Sequence, residues 1–199
     1  MLYPLLIDSL ALGVQHSFEP DHLAAVSVLS DEKDRSQVRK VIWRSSQWAL
    51  GHAFTLIVFA CLILLLKSQL SENVSAYAEW VVGPLMIALG ANAILRRNTP
   101  AKPLAGRSFG VGMIHGLAGT GAACTAALTL AAEDTATAVW VIVLQSAAIL
   151  LAMTLYGCFL AVSFRKWTHM PSLNGIRIGL GLFSILVGLV TLFESFSSL

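Results

Sequence analysis

Long apolar runs dominate the chain, and its polar positions gather in short stretches between them. A helix needs about 20 apolar residues to cross the hydrocarbon core of a bilayer. Six runs approach or exceed that length, at roughly 4–29, 42–66, 75–95, 108–131, 137–163 and 175–195. They predict an all-α integral membrane protein with six transmembrane helices and a single membrane domain over residues 1–199. The first run has no basic stretch before it and no small-residue cleavage site after it. It therefore reads as a span and not as a signal peptide.

Composition agrees with this class. Of the 199 residues, 56% are hydrophobic and only 12% are charged, against about 25% charged in a soluble domain. An ordinary soluble domain, a disordered tail and a nucleic-acid binder are excluded. Cys61, Cys124 and Cys158 lie in apolar runs and form neither a CxxC pair nor a disulfide framework.

The charges then orient the spans. Lys33, Arg35, Arg39, Lys40 and Arg44 surround the first connection. Arg96, Arg97, Lys102 and Arg107 surround the third, and Arg165, Lys166 and Arg177 the fifth. Only Lys67 lies elsewhere among the thirteen basic residues. The positive-inside rule puts those three connections in the cytoplasm and both termini outside. Asp8, Glu72, Glu79, Glu133, Asp134 and Glu194 fall toward the outer side, where acidic charge concentrates cations; as plain solvated loop charges they need no further role. Trp43, Trp80, Trp140 and Trp167 lie near span ends and Trp48 deeper. The tryptophans read as interfacial anchors rather than as a binding box.

Six spans divide into three plus three. Gly13-Val14-Gln15-His16 in the first run and Gly112-Met113-Ile114-His115 in the fourth share the pattern GxxH. Both continue into residues that weaken a helix: Pro20 in the first, and Gly116, Gly119 and Gly121 in the second. With three spans per half the halves have opposite topology, so an inverted repeat of residues 1–96 and 104–199 is expected, with a site near the midplane.

Ionisable groups inside a membrane are costly and usually functional. His16, Glu19, Asp21 and His22 lie in the first run, His52 in the second and His115 in the fourth, whereas His169 falls in a connection. Residues 16–22 spell H-x4-D-H. On an unbroken helix His16 and Asp21 would stand about 140° apart, and His16 and His22 about 120° apart the other way. Pro20 removes a helical hydrogen bond, so a break within Ser17–Asp21 would let the three converge. By helical rise His22 and His16 lie ~11 and ~20 Å from the inner end of their span, and His52 ~16 Å. Three imidazoles and a carboxylate can thus share a level. Imidazole suits nickel, copper, zinc and iron, whereas calcium and magnesium prefer oxygen. His16, Asp21, His22 and His52 are the candidate metal ligands; His115 and Glu19 are candidate pathway residues.

At these residues the chain resembles a known family. H-x4-D-H is similar to the signature of the nickel/cobalt transporter superfamily, and Leu50-Gly51-His52 resembles its LGH-type second motif. The stretch Val111–Ala122 resembles the short urease-accessory-type membrane permeases of that superfamily. The resemblance implies that His16, Asp21, His22 and His52 select and pass a metal, with Ni²⁺ first and Co²⁺ second. It implies uptake across a bacterial cytoplasmic membrane, no enzymatic activity, and no cofactor beyond the transported ion. The partners expected are a divalent transition-metal ion and the lipid bilayer, with no nucleic acid; a homo-oligomer stays open. No phosphate-binding loop is present, so ATP hydrolysis by the chain itself is excluded. The alternatives are a metal exporter on the same scaffold, a membrane subunit of a larger metal importer, a haem or thiol oxidoreductase, and an intramembrane protease.

Overall fold

The computed structural model describes residues 2–30, 38–66, 71–95, 106–117, 119–167 and 173–197. Among these are eight helices and no strand: α1 (Leu2–Ser17), α2 (Pro20–Ser30), α3 (Val38–Leu66), α4 (Ser71–Leu95), α5 (Arg107–His115), α6 (Gly119–Leu130), α7 (Thr135–Trp167) and α8 (Leu173–Ser197). Lys33, Arg35, Lys67, Arg96, Arg97, Lys102 and His169 lie outside the described residues, as do the side chains of Glu72, Glu79, Arg165, Lys166 and Trp167.

The first apolar run is broken, and the break falls between Ser17 and Pro20. The amides of Phe18 and Glu19 donate three residues back, to the carbonyls of Gln15 and His16, at 3.0 and 3.1 Å. These tight bonds satisfy carbonyls that the end of α1 would otherwise orphan. Pro20 opens α2, where its missing N–H costs nothing because the first helical amides have no intrahelical acceptor. Asp21 sits in the first turn of α2, where the helix dipole favours a carboxylate. The fourth run is broken at the corresponding place, directly after His115. There Gly116 caps α5 by donating to Gly112 O at 2.9 Å.

Close backbone crossings hold the bundle together. α4 packs most extensively on α8. A Cβ at Gly83 or Gly90 would run into α8 at Leu192 or Gly181, and one at Gly188 or Gly181 into the carbonyl of Gly83 or Gly90. Ser184 Oγ donates to Met86 O at 2.8 Å across the same seam. α3 crosses α5 as closely: Gly51 faces the carbonyl of Phe109, Gly112 that of Trp48, and Gly116 that of His52. Small residues are what let helices approach this way where lipid supplies no hydrophobic drive. α1 lies on α7 with Gly13 against the backbone of Gln145, and α3 also packs on α7. Asp134 caps α7; its carboxylate accepts from the backbone N–H and the hydroxyl of Thr137 at 2.8 and 2.9 Å, and these bonds hold its pKa below the ordinary carboxylate value.

Among the described residues, three helices are long and apolar enough to cross a membrane, over Val38–Leu65, Thr135–Ser163 and Gly175–Ser197, and Trp80–Leu95 is a shorter apolar helix. Their outward faces carry exposed Leu50, Phe54, Leu151, Phe159, Leu186 and Phe193. A continuous apolar exterior of this kind needs lipid around it. Trp43 and Trp140 are exposed near helix starts, as interfacial anchors are. Trp48 is not an anchor. It is fully buried, and its surroundings belong to the centre described next.

Candidate metal centre

The helix break turns the H-x4-D-H stretch into a cluster. His16, on the last turn of α1, is 4% exposed; His22, on the first turns of α2, and His52, on α3, are fully buried. His16 Nε2 lies 3.1 Å from His22 Nε2 and 3.2 Å from His52 Nε2. One ligand atom from each of the three can be taken within 4.8 Å of the other two. Imidazole nitrogens 2.0–2.1 Å from one ion stand about 2.9 Å apart at a right angle and about 3.3 Å apart at the tetrahedral angle. Both short separations fall between these values.

The groups behind the rings decide where the protons sit. His22 Nδ1 is 2.8 Å from Asp21 Oδ1, so the carboxylate holds a proton on Nδ1 and leaves a lone pair on Nε2. Glu19 Oε1 lies 3.1 Å from His16 Nδ1, a charge contact without hydrogen-bond geometry, so it places negative charge beside the ring without fixing its tautomer. His22 Nε2 therefore turns a lone pair toward His16 Nε2 across 3.1 Å, a gap that a proton or a cation can bridge. Carboxylates behind imidazoles are also what orient and strengthen metal-bound histidines. Asp21 is thus brought to the cluster through His22. Glu19, Asp21 and His22 form a second group of mutually close ligand atoms on the same turn.

His115 completes a ring of four buried histidines. Its Nδ1 lies 3.0 Å from Val111 O and donates to it, so Nε2 carries a lone pair, and that atom is buried without a partner. Its ring is 5.9 Å from that of His22. Trp48 forms the wall of the site: its ring stacks on His52 at 5.2 Å and meets His22 and His115 edge-on at 5.1 and 5.6 Å. Gly121 on α6 makes room for His16, because a Cβ there would collide with the imidazole.

The sequence-based reading missed Trp48 and misjudged Gly121. Trp48 precedes His52 by one helical turn, so the two share a face, and its depth was the available signal. Gly121 reads as a helix breaker in the sequence, yet it lies within α6 and serves close approach.

Lipid-facing apolar helices around a dry cluster of imidazoles backed by carboxylates define an integral membrane protein with a transition-metal type of ligand set in its interior. The chain is similar to the urease accessory protein UreH of Bacillus sp. (strain TB-90). The two are 32% identical over 144 residues, which make up 61% of this chain and about 60% of the length of that relative. This likeness bears out the resemblance to the short urease-accessory-type permeases read from the motifs. No family model and no solved structure matches the chain.

Proposed function

We propose that the chain is a permease for a divalent transition-metal cation, Ni²⁺ foremost and Co²⁺ second, and that the ion passes through His16, His22 and His52. The observation that carries this reading is the convergence of His22 Nε2 and His52 Nε2 on His16 Nε2 at 3.1 and 3.2 Å, with Asp21 holding the proton of His22 on Nδ1. Neutral nitrogen donors favour borderline transition metals over calcium and magnesium. Asp21 and Glu19 supply negative charge that offsets the dication, without themselves having to enter its coordination shell.

In this reading α1 with α2, and α5 with α6, each form one interrupted span, which makes six spans with both termini outside. The packing supports a three-plus-three inverted repeat. α1 lies on α7 as α5 lies on α3, and the two broken spans give way close behind the histidine of GxxH, after Ser17 in one and after His115 in the other. Gly13 stands against Gln145 as Gly112 stands against Trp48. The similarity to a urease accessory protein supports supply of a metal to the cytoplasm. Uptake needs no further coupling, since a dication gains about 4.6 kcal/mol per 100 mV of inside-negative potential.

The test is metal binding by the purified protein together with Ni²⁺ uptake into proteoliposomes. His16→Ala, His22→Ala and His52→Ala should each nearly abolish uptake while the protein still inserts. Normal uptake by all three variants overturns the ligand assignment.

A further inference from the structure

One side of α3 faces away from the bundle and changes character along its length. A cavity of about 830 Å³ lies against its first turns, lined by Val38, Arg39, Lys40, Ile42, Trp43 and Ser46. That is the size of a cleft that holds a ligand, about 300–1,000 Å³. Arg39 and Lys40 are exposed, and the Trp43 indole is 60% exposed. At about 100° per residue, Trp43, Ser46, Leu50, Phe54 and Ile57 all lie within about 60° of Arg39 around the helix. Leu50, Phe54 and Ile57 are exposed as well. The line therefore runs from two cations, through an amphipathic ring and a hydroxyl, to bare hydrocarbon.

A phospholipid has the same order along its own length: an ionised phosphate, ester groups at the interface, then acyl chains. The dimensions agree. From Trp43 to Phe54 the helix rises ~17 Å, close to the ~15 Å of hydrocarbon in one leaflet, half of the core thickness. Tryptophan settles at the level of the headgroups, and a guanidinium can grip a phosphate with two parallel hydrogen bonds. The sign of the charge narrows the choice of lipid. A zwitterionic headgroup carries its own ammonium, which offsets the phosphate, whereas an anionic one leaves it for Arg39 and Lys40. The positive-inside rule assigns this end of α3 to the cytoplasmic leaflet, where anionic lipid meets basic residues. The cavity of about 330 Å³ lined by Asp8, Glu133 and Asp134 carries the opposite charge, and Trp140 is exposed one turn beyond its Thr137. The same aromatic thus stands near acids there and near bases here.

We propose that this side of α3 holds an anionic phospholipid, with its phosphate at Arg39 and Lys40, its ester region beside Trp43 and Ser46, and an acyl chain along Leu50 and Phe54. His52 is buried on the same helix, so the lipid and the histidine triad occupy separate sites, and the lipid is held whether or not a metal is bound.

The full chain is reconstituted in phosphatidylcholine vesicles that contain brominated phosphatidylglycerol or, in parallel, brominated phosphatidylcholine, and tryptophan fluorescence is measured. The part of the quenching due to Trp43 is what Trp43→Phe removes, and the part due to Trp140 is what Trp140→Phe removes. Each basic residue near the surface favours an anionic lipid by about fivefold. Phosphatidylglycerol should therefore half-quench Trp43 at a mole fraction about 25-fold lower than phosphatidylcholine, the product of two such factors, and should show no preference at Trp140. Arg39→Gln with Lys40→Gln should abolish the preference, and Arg39→Lys, which keeps the charge, should retain it. Equal quenching of Trp43 by the two lipids overturns the proposal, as does a preference that survives the double substitution. Inorganic phosphate or soluble polyglutamate, at matched ionic strength, should not displace the lipid. A preference lost to phosphate would assign the cavity to a free anion, and one lost to polyglutamate to an acidic protein segment; either overturns the lipid. Should the double variant fail to insert, the wild type still decides: purified from vesicles in detergent, it should retain phosphatidylglycerol in excess of the vesicle ratio, and retention of both lipids at that ratio overturns the proposal.

Discussion

Adding a single methyl group at Gly121 should disable the metal centre without touching any ligand residue. An ideal Cβ at this position would stand 2.8 Å from Cδ2 of His16 and nearer still to Cε1 and Nε2. Carbon atoms settle at about 3.5–4.0 Å, so the ring has to retreat by about 1 Å. A nitrogen held about 2.0–2.1 Å from an ion would then lie about 3 Å away, beyond coordination distance. Loss of an orienting partner behind a metal ligand costs about 10–100-fold in affinity. Here the ligand itself is displaced, and His16 is the ring whose Nε2 reaches both other histidines. Gly121→Ala should therefore weaken Ni²⁺ binding by about 100-fold or more, the upper end of that range. The fold should survive. Overpacking costs about 1–3 kcal/mol, and alanine in place of a helical glycine returns about 1 kcal/mol. The assay is calorimetric titration of the purified protein with Ni²⁺ near neutral pH, with helicity measured in parallel. Gly110→Ala and Gly179→Ala are the controls, because a Cβ at either meets nothing within 4 Å. A folded Gly121→Ala protein that binds Ni²⁺ within about twofold of wild type, well under 1 kcal/mol, would refute the contact between α6 and the triad.

Three further outcomes are expected. Asp21→Asn keeps an oxygen beside His22 Nδ1 but loses the charge that fixes the tautomer, and should lower Ni²⁺ affinity about 10–100-fold in the same titration. Each imidazole must be neutral to ligate, so protons compete with the metal; binding measured as a function of pH should weaken on acidification, and an affinity unchanged on acidification would argue against imidazole ligands. Trp48 lies 5.1 and 5.2 Å from the rings of His22 and His52, so paramagnetic Ni²⁺ at the triad should quench its fluorescence; Trp48→Phe should remove the metal-dependent part of the quenching, and a signal left intact would put the ion elsewhere.

Local chemistry made much of this protein legible in one dimension. Apolar runs of spanning length are visible without tertiary contacts, because lipid imposes the same demand on every residue of a span. The break near Pro20 is equally local: proline has no N–H to donate, and H-x4-D-H scatters its side chains around an unbroken helix. That argument placed the interruption between Ser17 and Asp21, and α1 and α2 part there. The convergence of His52 with His16 and His22 was legible only as a shared depth. Which faces meet depends on the crossing of α3 with its neighbours, where Gly51, Gly112 and Gly116 admit the opposing backbone. The same crossing made Trp48 a wall of the site when depth alone left it among the anchors. Asp21 shows the limit most plainly. Its spacing marks it as one of four ligand candidates, but spacing says nothing about which nitrogen of a neighbouring ring it will meet. In the fold its oxygen meets His22 Nδ1 and turns Nε2 toward His16. Periodicity and backbone chemistry act within one helix and can be read along the chain; the meeting of rings from α1, α2 and α3 and the close approaches of backbones are relations between helices, and packing alone creates them.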